Sequence, residues 1–169
     1  MAIIERFLGK KISIPENLRY SSQGLWARLE AQSIVFGFTE PALLLCGGIN
    51  EINFLCENGD TIEKNQSVLF AVTGKIAYID SPVGGTISLN TKTCSDTSKI
   101  SADPYGNGWL FRVNLQGSAL DVYESFSDFK KYIKDLEKSE GFRNPDGLKG
   151  GVSGMCKAVY SGIREQTTR

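Results

Sequence analysis

The chain has 169 residues, a length for which a single domain with an ordinary hydrophobic core is expected. Hydrophobic residues make up 41% and charged residues 22%, close to the averages of globular proteins. Lys and Arg together number 19, as do Asp and Glu, so the charge balance gives no reason to expect binding to nucleic acid or to a membrane surface.

The sequence contains no histidine. Ser-His-Asp and Cys-His catalysis are therefore excluded, and the commonest metal ligand is missing. This favours a carrier or binding protein over an enzyme with its own catalytic site.

The cysteines, Cys46, Cys56, Cys94 and Cys156, show no C-x-x-C spacing, so neither a zinc site nor a redox pair is predicted. Free thiols in a cytoplasmic protein are expected, although the sequence leaves a disulfide open. The opening residues MAIIERFLGKK are not typical of a signal peptide, and no apolar run approaches the ~18 residues of a membrane span.

Residues 1–24 are predicted to be an N-terminal extension, either a short extended strand or a poorly ordered arm. A domain is predicted over residues 25–140. It begins with a hairpin, LWARLE and SIVFGF, that turns at Ala31 and Gln32. Thr39 then caps a short helix, TEPALLLC, which Gly47 and Gly48 end.

A strand over residues 49–56 and a turn at residues 57–60 lead to the stretch FAVTGKIAYIDSP. Its two β-prone arms, residues 69–72 and 76–79, flank Thr73, Gly74 and Lys75. Such a pattern predicts a hairpin with the lysine at its tip, in solvent. That geometry would display one amine to other proteins.

Pro82 marks a corner, after which TISLNTK is predicted as a strand. A helical turn capped by Asp96 follows, and the PYGNG turn leads into a closing strand, WLFRVNL. Short strands separated by Gly-containing turns at regular intervals predict a mainly β fold, a small sandwich or barrel.

One helix is predicted over residues 118–140, because its apolar residues recur at intervals of three and four. They are Leu120, Tyr123, Phe126, Phe129, Ile133 and Leu136. Residues 141–169 are an extra tail with a linker at residues 144–151, followed by apolar residues at a spacing of four, Met155, Val159 and Ile163. This spacing predicts a short amphipathic helix, packed on this domain or docked on a partner.

Several short motifs follow one another in the order of one known family. They are LWAR at residues 25–28, GFTE at 37–40, GDT at 59–61, SPVGG at 81–85 and DPYGNGWL at 103–110. Together they resemble the H proteins of the glycine cleavage system, in the biotinyl/lipoyl attachment superfamily, over residues 26–115. The spacing from the GDT turn places the modified lysine of that family at Lys75 with no gap.

The resemblance implies a barrel-sandwich hybrid, lipoyl-domain-like, of two short antiparallel sheets, with the C-terminal amphipathic helix and the tail added. It implies lipoate in amide linkage on Lys75, placed there by a lipoate-attaching enzyme. It also implies three partners: a pyridoxal-phosphate glycine decarboxylase that supplies an aminomethyl group, a tetrahydrofolate-dependent aminomethyltransferase that takes it, and a flavin-containing dihydrolipoamide dehydrogenase that reoxidises the arm.

The chain departs from the family around the lysine. Val72 stands where the family usually has Glu, the segment from Lys75 to Ser81 is slightly shorter, and the usual His before Trp26 is absent. Two alternatives therefore stay open: a diverged H-like carrier for another lipoate-dependent pathway, and an unmodified scaffold or interaction protein. Biotin is disfavoured because Met-Lys-Met is missing, and a catalytic Lys75 is disfavoured because an exposed amine lacks the desolvation that lowers its pKa.

Overall fold

The computed structural model of the chain describes residues 1–147, which form a mainly β fold, as predicted. The strands are β1 (Ala2–Phe7), β2 (Lys10–Ile14), β3 (Arg19–Tyr20), β4 (Leu25–Glu30), β5 (Ser33–Phe38), β6 (Glu51–Phe54), β7 (Thr61–Ile62), β8 (Ser67–Val72), β9 (Ile76–Asp80), β10 (Gly85–Leu89) and β11 (Phe111–Asn114). The helices are α1 (Glu40–Cys46), α2 (Lys92–Ser95), α3 (Ser98–Ala102), α4 (Ala119–Glu124), α5 (Phe129–Leu136) and α6 (Glu140–Arg143).

The larger sheet has six strands in the order β3-β4-β5-β11-β10-β7. Its neighbouring strands pair antiparallel, and the predicted hairpin between β4 and β5 is confirmed, with Glu30 opposite Ser33. The closing strand is also confirmed, since β11 lies between β5 and β10. One face of the sheet is apolar and lies on the core, through residues such as Ile34, Phe36 and Phe111.

The smaller sheet has three antiparallel strands in the order β6-β8-β9. Its inward side chains join the same core as those of the six-stranded sheet, for example Leu69, Ala71 and Ile79. These are the two sheets that the resemblance implies. A third sheet, made of β1 and β2 alone, adds to them.

Residues 1–24 contribute three strands and a second apolar cluster. Phe7, Ile14 and Tyr20 are almost completely buried there, packed with Tyr132 and Leu136 of α5. The last of these strands, β3, belongs to the six-stranded sheet. The boundaries at residues 24 and 140 stay predictions.

The single helix predicted over residues 118–140 is wrong, because the chain leaves the helical conformation between α4 and α5. Ser127 exchanges two backbone hydrogen bonds with Tyr20, at 2.8 and 3.1 Å, and so pairs with β3 instead of continuing the helix. The Asp128 side chain then starts α5 by accepting a hydrogen bond from the Lys131 N–H. None of the helices in residues 1–147 has the length and apolar character needed to cross a membrane.

Two other predicted helices, both within residues 1–147, are present with adjusted bounds. Thr39 caps α1 as predicted, accepting from the Ala42 N–H at 3.1 Å, and Gly47 ends it in the left-handed conformation. The predicted helical turn near Asp96 is α3, which begins at Ser98, where the Asp96 carboxylate accepts from the Ser98 N–H. The preceding helix, α2, was not predicted.

The DPYGNGWL loop holds the first tryptophan in place. Trp26 is fully buried and donates its indole N–H to the Pro104 carbonyl at 2.8 Å. A Cβ on Gly37 of the neighbouring strand would lie 2.6 Å from that indole, so only glycine fits there without a shift. The motif therefore has a structural role.

Candidate functional site

Lys75 lies exposed in the connection between β8 and β9. The two strands pair antiparallel with Val72 opposite Ile76 and Phe70 opposite Tyr78, and residues 73–75 join them. The predicted hairpin is therefore confirmed, and the lysine sits where the sequence places it, at the tip.

The turn that carries Lys75 is held by its own threonine. The Thr73 N–H donates to the Lys75 carbonyl at 2.8 Å, and the Lys75 N–H donates to the Thr73 hydroxyl at 3.3 Å. Thr73 is itself buried, with 6% of its surface exposed. These hydrogen bonds hold the backbone at Lys75, and the residue itself is exposed.

The third strand supports the hairpin from one side. Residues of β6 pair with β8, with Glu51 opposite Val72 and Phe54 opposite Leu69. Just before β6, Asn50 donates its backbone N–H to the Val72 carbonyl at 2.8 Å and its side-chain amide to the Thr73 carbonyl at 3.3 Å. The tip therefore extends from a three-stranded sheet.

The base of the hairpin is held by a residue that sequence reasoning missed. The Gln23 side chain donates to the Asp80 carbonyl and accepts from the Asp80 N–H, both at 3.0 Å. The Ser67 hydroxyl donates to the Asp80 carboxylate at 2.6 Å. A glutamine in a turn before β4 carries no signal that it pairs with a residue so far along the chain.

The outer face of this sheet is apolar, which was not predicted either. Side chains alternate along β8 and β9, so Phe70, Val72, Ile76 and Tyr78 point away from the core. Ile76 is 48% exposed, and the Phe70 and Tyr78 rings lie with centroids 5.7 Å apart. We call these four residues the outer patch; it adjoins Lys75.

The described cysteines offer no reactive thiol pair. Cys46, Cys56 and Cys94 are free, and burial raises the pKa of each thiol above its ordinary value, most strongly for Cys46. Within residues 1–147, no three His, Cys, Asp or Glu side chains are grouped to hold a metal ion. Cys156 lies outside the described residues.

The comparison with family models matches residues 18–139 to the glycine cleavage H-protein. Among the relatives, a glycine cleavage system H protein of Gloeobacter violaceus is 32% identical over 118 residues, covering 69% of this chain and 91% of that protein. One from Bifidobacterium longum is 31% identical over 125 residues, covering 73% of this chain and 90% of that protein.

The fold is similar to that of a solved structure, a glycine cleavage system H protein from Mycobacterium marinum. The TM-score is 0.61 at 24% sequence identity, and the match covers 72% of this chain and 97% of the other. The fold, the ordered motifs and the extent of the family match agree with one another. The chain belongs to the glycine cleavage H-protein family.

Proposed function

We propose that this chain is a lipoyl-carrying H protein of the glycine cleavage system, with the lipoyl group attached to Lys75. The observation that carries the proposal is one exposed lysine, held at the tip of a braced hairpin, in a chain of this family. An attached group needs an amine that an enzyme can reach and a backbone that does not move with it, and Lys75 fits both needs.

The chain's own residues would present the group, and the partner enzymes would carry out the reactions. A bound lipoyl group supplies a dithiolane that carries electrons and an aminomethyl group. Thr73 and Asn50 fix the backbone at the attachment point, and Gln23 holds the base of the hairpin. Because a tethered group stays near every docked partner, its effective concentration there is high.

The partners we propose are those of the family: glycine decarboxylase, aminomethyltransferase, dihydrolipoamide dehydrogenase and a lipoate-attaching enzyme. We propose the cytoplasm as the place of action, and no catalytic site of the chain's own.

A second candidate, a carrier for another lipoate-dependent pathway, is favoured by Val72, which makes the surface beside the lysine apolar where the family usually has Glu.

Replacing Lys75 by Arg tests the attachment. We expect Lys75→Arg to abolish incorporation of lipoate by a lipoate-attaching enzyme, because Arg has no amine that can form the amide. The thermal midpoint should stay within ~1 °C of the native value, since substitutions of exposed side chains have small effects. Peptide mass spectrometry measures incorporation, and circular dichroism measures stability.

Lys64→Arg serves as the matched control, because Lys64 is also exposed and precedes β8 instead of following it. This variant should incorporate lipoate like the native chain. Incorporation that survives Lys75→Arg, or that maps to another lysine, would contradict the proposed site.

A further inference from the structure

A cleft of about 440 Å³ opens where β10 leads into α2. It is lined by residues 89–92 and Lys99, and by Asn107 and Trp109 of the loop before β11. Its volume is in the range of pockets that bind small molecules. Neither Lys75 nor the outer patch lines this cleft, so it is not part of the site described above.

A buried asparagine holds the lining of the cleft together. The side chain of Asn90, which is 6% exposed, donates to the Trp109 carbonyl at 2.7 Å and to the Asn107 carbonyl at 3.1 Å. Its backbone N–H donates to the Leu110 carbonyl at 2.9 Å. Because these contacts exist within the fold, a ligand would meet a lining that is already ordered.

The side-chain oxygen of Asn90 is left over. It accepts no hydrogen bond from residues 1–147, since both contacts of the side chain use its amide hydrogens. In that part of the chain, the only enclosed side-chain nitrogen or oxygen without a partner is the Arg112 Nε, so the Asn90 oxygen is accessible. Buried asparagines normally satisfy this oxygen, and a donor on a ligand would do so here.

Two lysines make the cleft positive. Lys92 and Lys99 are both exposed, and neither forms an ion pair with a described residue. The neighbouring acids, Asp96 and Asp103, accept hydrogen bonds from backbone N–H groups and do not line the cleft. The lysines therefore favour an anion as the ligand.

Trp109 gives the cleft a flat apolar wall. It is half-buried, whereas Trp26, the other tryptophan of the chain, is fully buried. The Arg112 guanidinium lies over the Trp109 ring, 5.5 Å from its centroid, and helps to hold the indole in place. Aromatic rings stack favourably on an indole, so this wall suits a planar ligand.

We propose that this cleft binds a small aromatic anion, with its ring on Trp109 and its carboxylate or phosphate near Lys92 and Lys99. The ring and the anionic group must belong to one molecule, because neither alone uses both parts of the lining. Since Lys75 is not part of the cleft, the binding does not depend on the proposed function.

Nuclear magnetic resonance of the full chain tests the binding. The two tryptophans give one indole N–H signal each, and Trp26 is an internal control because its N–H is bonded to the Pro104 carbonyl. We expect phenyl phosphate, benzoate or both to shift the Trp109 signal to saturation and to leave the Trp26 signal in place. Separate titrations distinguish a phosphate from a carboxylate. If neither anion moves the Trp109 signal, or if Trp26 moves as far, the proposal is wrong.

Two further probes separate the ring from the charge. Benzyl alcohol has the ring without the charge, and inorganic phosphate has the charge without the ring. Each should bind at least ~10-fold more weakly than the better aromatic anion. Inorganic phosphate that bound equally well would mean an adventitious ion only, and benzyl alcohol that bound equally well would mean that charge is not recognised. Either result would overturn the proposal.

Variants of the lysines test the anionic contact. Lys92→Ala with Lys99→Ala should weaken binding of the aromatic anion at least ~10-fold, while the thermal midpoint stays close to that of the native chain because both side chains are exposed. The matched control is Lys10→Ala with Lys11→Ala, which removes the same charge from exposed positions at the start of β2 and should bind like the native chain. Unchanged binding in the first variant, or an equal loss in both, would contradict the proposal.

Trp109→Leu tests the aromatic wall, with the backbone amide signals of Lys92 and Asn107 as reporters. We expect the aromatic anion to bind ~5-fold more weakly or worse, and Trp109→Phe, which keeps a ring, to retain most of the binding. Native affinity in a folded Trp109→Leu variant would contradict the ring contact. Trp109 also packs on the second apolar cluster, so if this variant does not fold, the lysine variants and the probe series decide the proposal.

Discussion

At the scale of single residues, Gln23 has a larger part in presenting Lys75 than its position suggests. Its side-chain amide pairs with both backbone groups of Asp80, as a neighbouring strand would. Gln23 is also nearly buried, at 8% exposure. These two hydrogen bonds therefore join the end of β9 to the turn before β4, at the base of the hairpin.

Replacing Gln23 by Leu tests this contact. The change keeps the size of the side chain and removes both hydrogen bonds, so we expect the free energy of unfolding to fall by ~1–3 kcal/mol. Hydrogen exchange at the Asp80 amide should accelerate more than exchange in β4 and β5. Urea unfolding and exchange mass spectrometry provide the two measurements.

The matched control is Gln116→Leu, because Gln116 is exposed. This variant should stay within ~0.5 kcal/mol of the native stability. A similar loss in both variants, or an unchanged exchange rate at Asp80, would show that Gln23 does not hold the hairpin.

The exposed position of Lys75 could be predicted because its signals are local. Two β-prone arms around a short Gly-containing turn are sufficient to place Lys75 at a tip. The contact of Gln23 with Asp80 joins two distant parts of the chain, and neither residue is unusual in its own segment. Likewise, Val72 was recognised as a departure from the family, but the outer patch appears only when β8 and β9 are paired.

At the scale of elements, helix periodicity alone gave one helix where the structure has a break. The apolar spacing across residues 118–140 is helical, yet Ser127 pairs with Tyr20 of β3. The guanidinium of Arg19 also donates to the Phe126 carbonyl at 3.0 Å, near the end of α4. A contact with a strand a hundred residues earlier overrides local preference and leaves no periodic signal.

A tyrosine pair attaches α5 to the sheet. The Tyr20 and Tyr132 rings stack with centroids 4.3 Å apart, and the Tyr132 hydroxyl lies 2.6 Å from the Thr39 hydroxyl that caps α1. Burial raises the pKa of both phenols above the ordinary value of 10.0. Ionising either phenol in the folded state would therefore place a charge inside the second apolar cluster.

The raised pKa values of Tyr20 and Tyr132 predict that the fold loses stability at high pH. A group with a folded pKa above its unfolded pKa contributes stability that is present below the unfolded value and is lost as the pH rises beyond it. We therefore expect the free energy of unfolding to fall steeply above pH 10.0, the ordinary tyrosine value. Urea unfolding at a series of pH values measures this slope.

Tyr132→Phe is the comparison for that slope. At neutral pH, the free energy of unfolding of this variant should be lower by ~1 kcal/mol, because the hydroxyl contact with Thr39 is lost. Above pH 10.0 its free energy of unfolding should fall less steeply than that of the native chain, because one buried phenol is gone. If the free energy of unfolding fell equally steeply with pH in the variant and the native chain, Tyr132 would not be responsible for the loss of stability in alkali.

At the scale of the whole molecule, the mainly β fold and its two principal sheets followed from strand patterns and from ordered motifs. What the patterns did not predict is how residues 1–24 add a hairpin sheet and a second cluster against α5. Those residues alternate only briefly, and their burial depends on contacts with elements more than a hundred residues away. The predicted helix near Met155 lies outside the described residues.

The central claim is that this fold holds one lysine out so that it can carry a lipoyl group. The most direct measurement is the intact mass of the chain purified from its native host, followed by peptide mapping. We expect the mass of one lipoyl group, located on Lys75 and gaining two hydrogens on reduction. A chain whose mass equals that of its sequence, under conditions in which other lipoyl proteins of the host are modified, would contradict the claim.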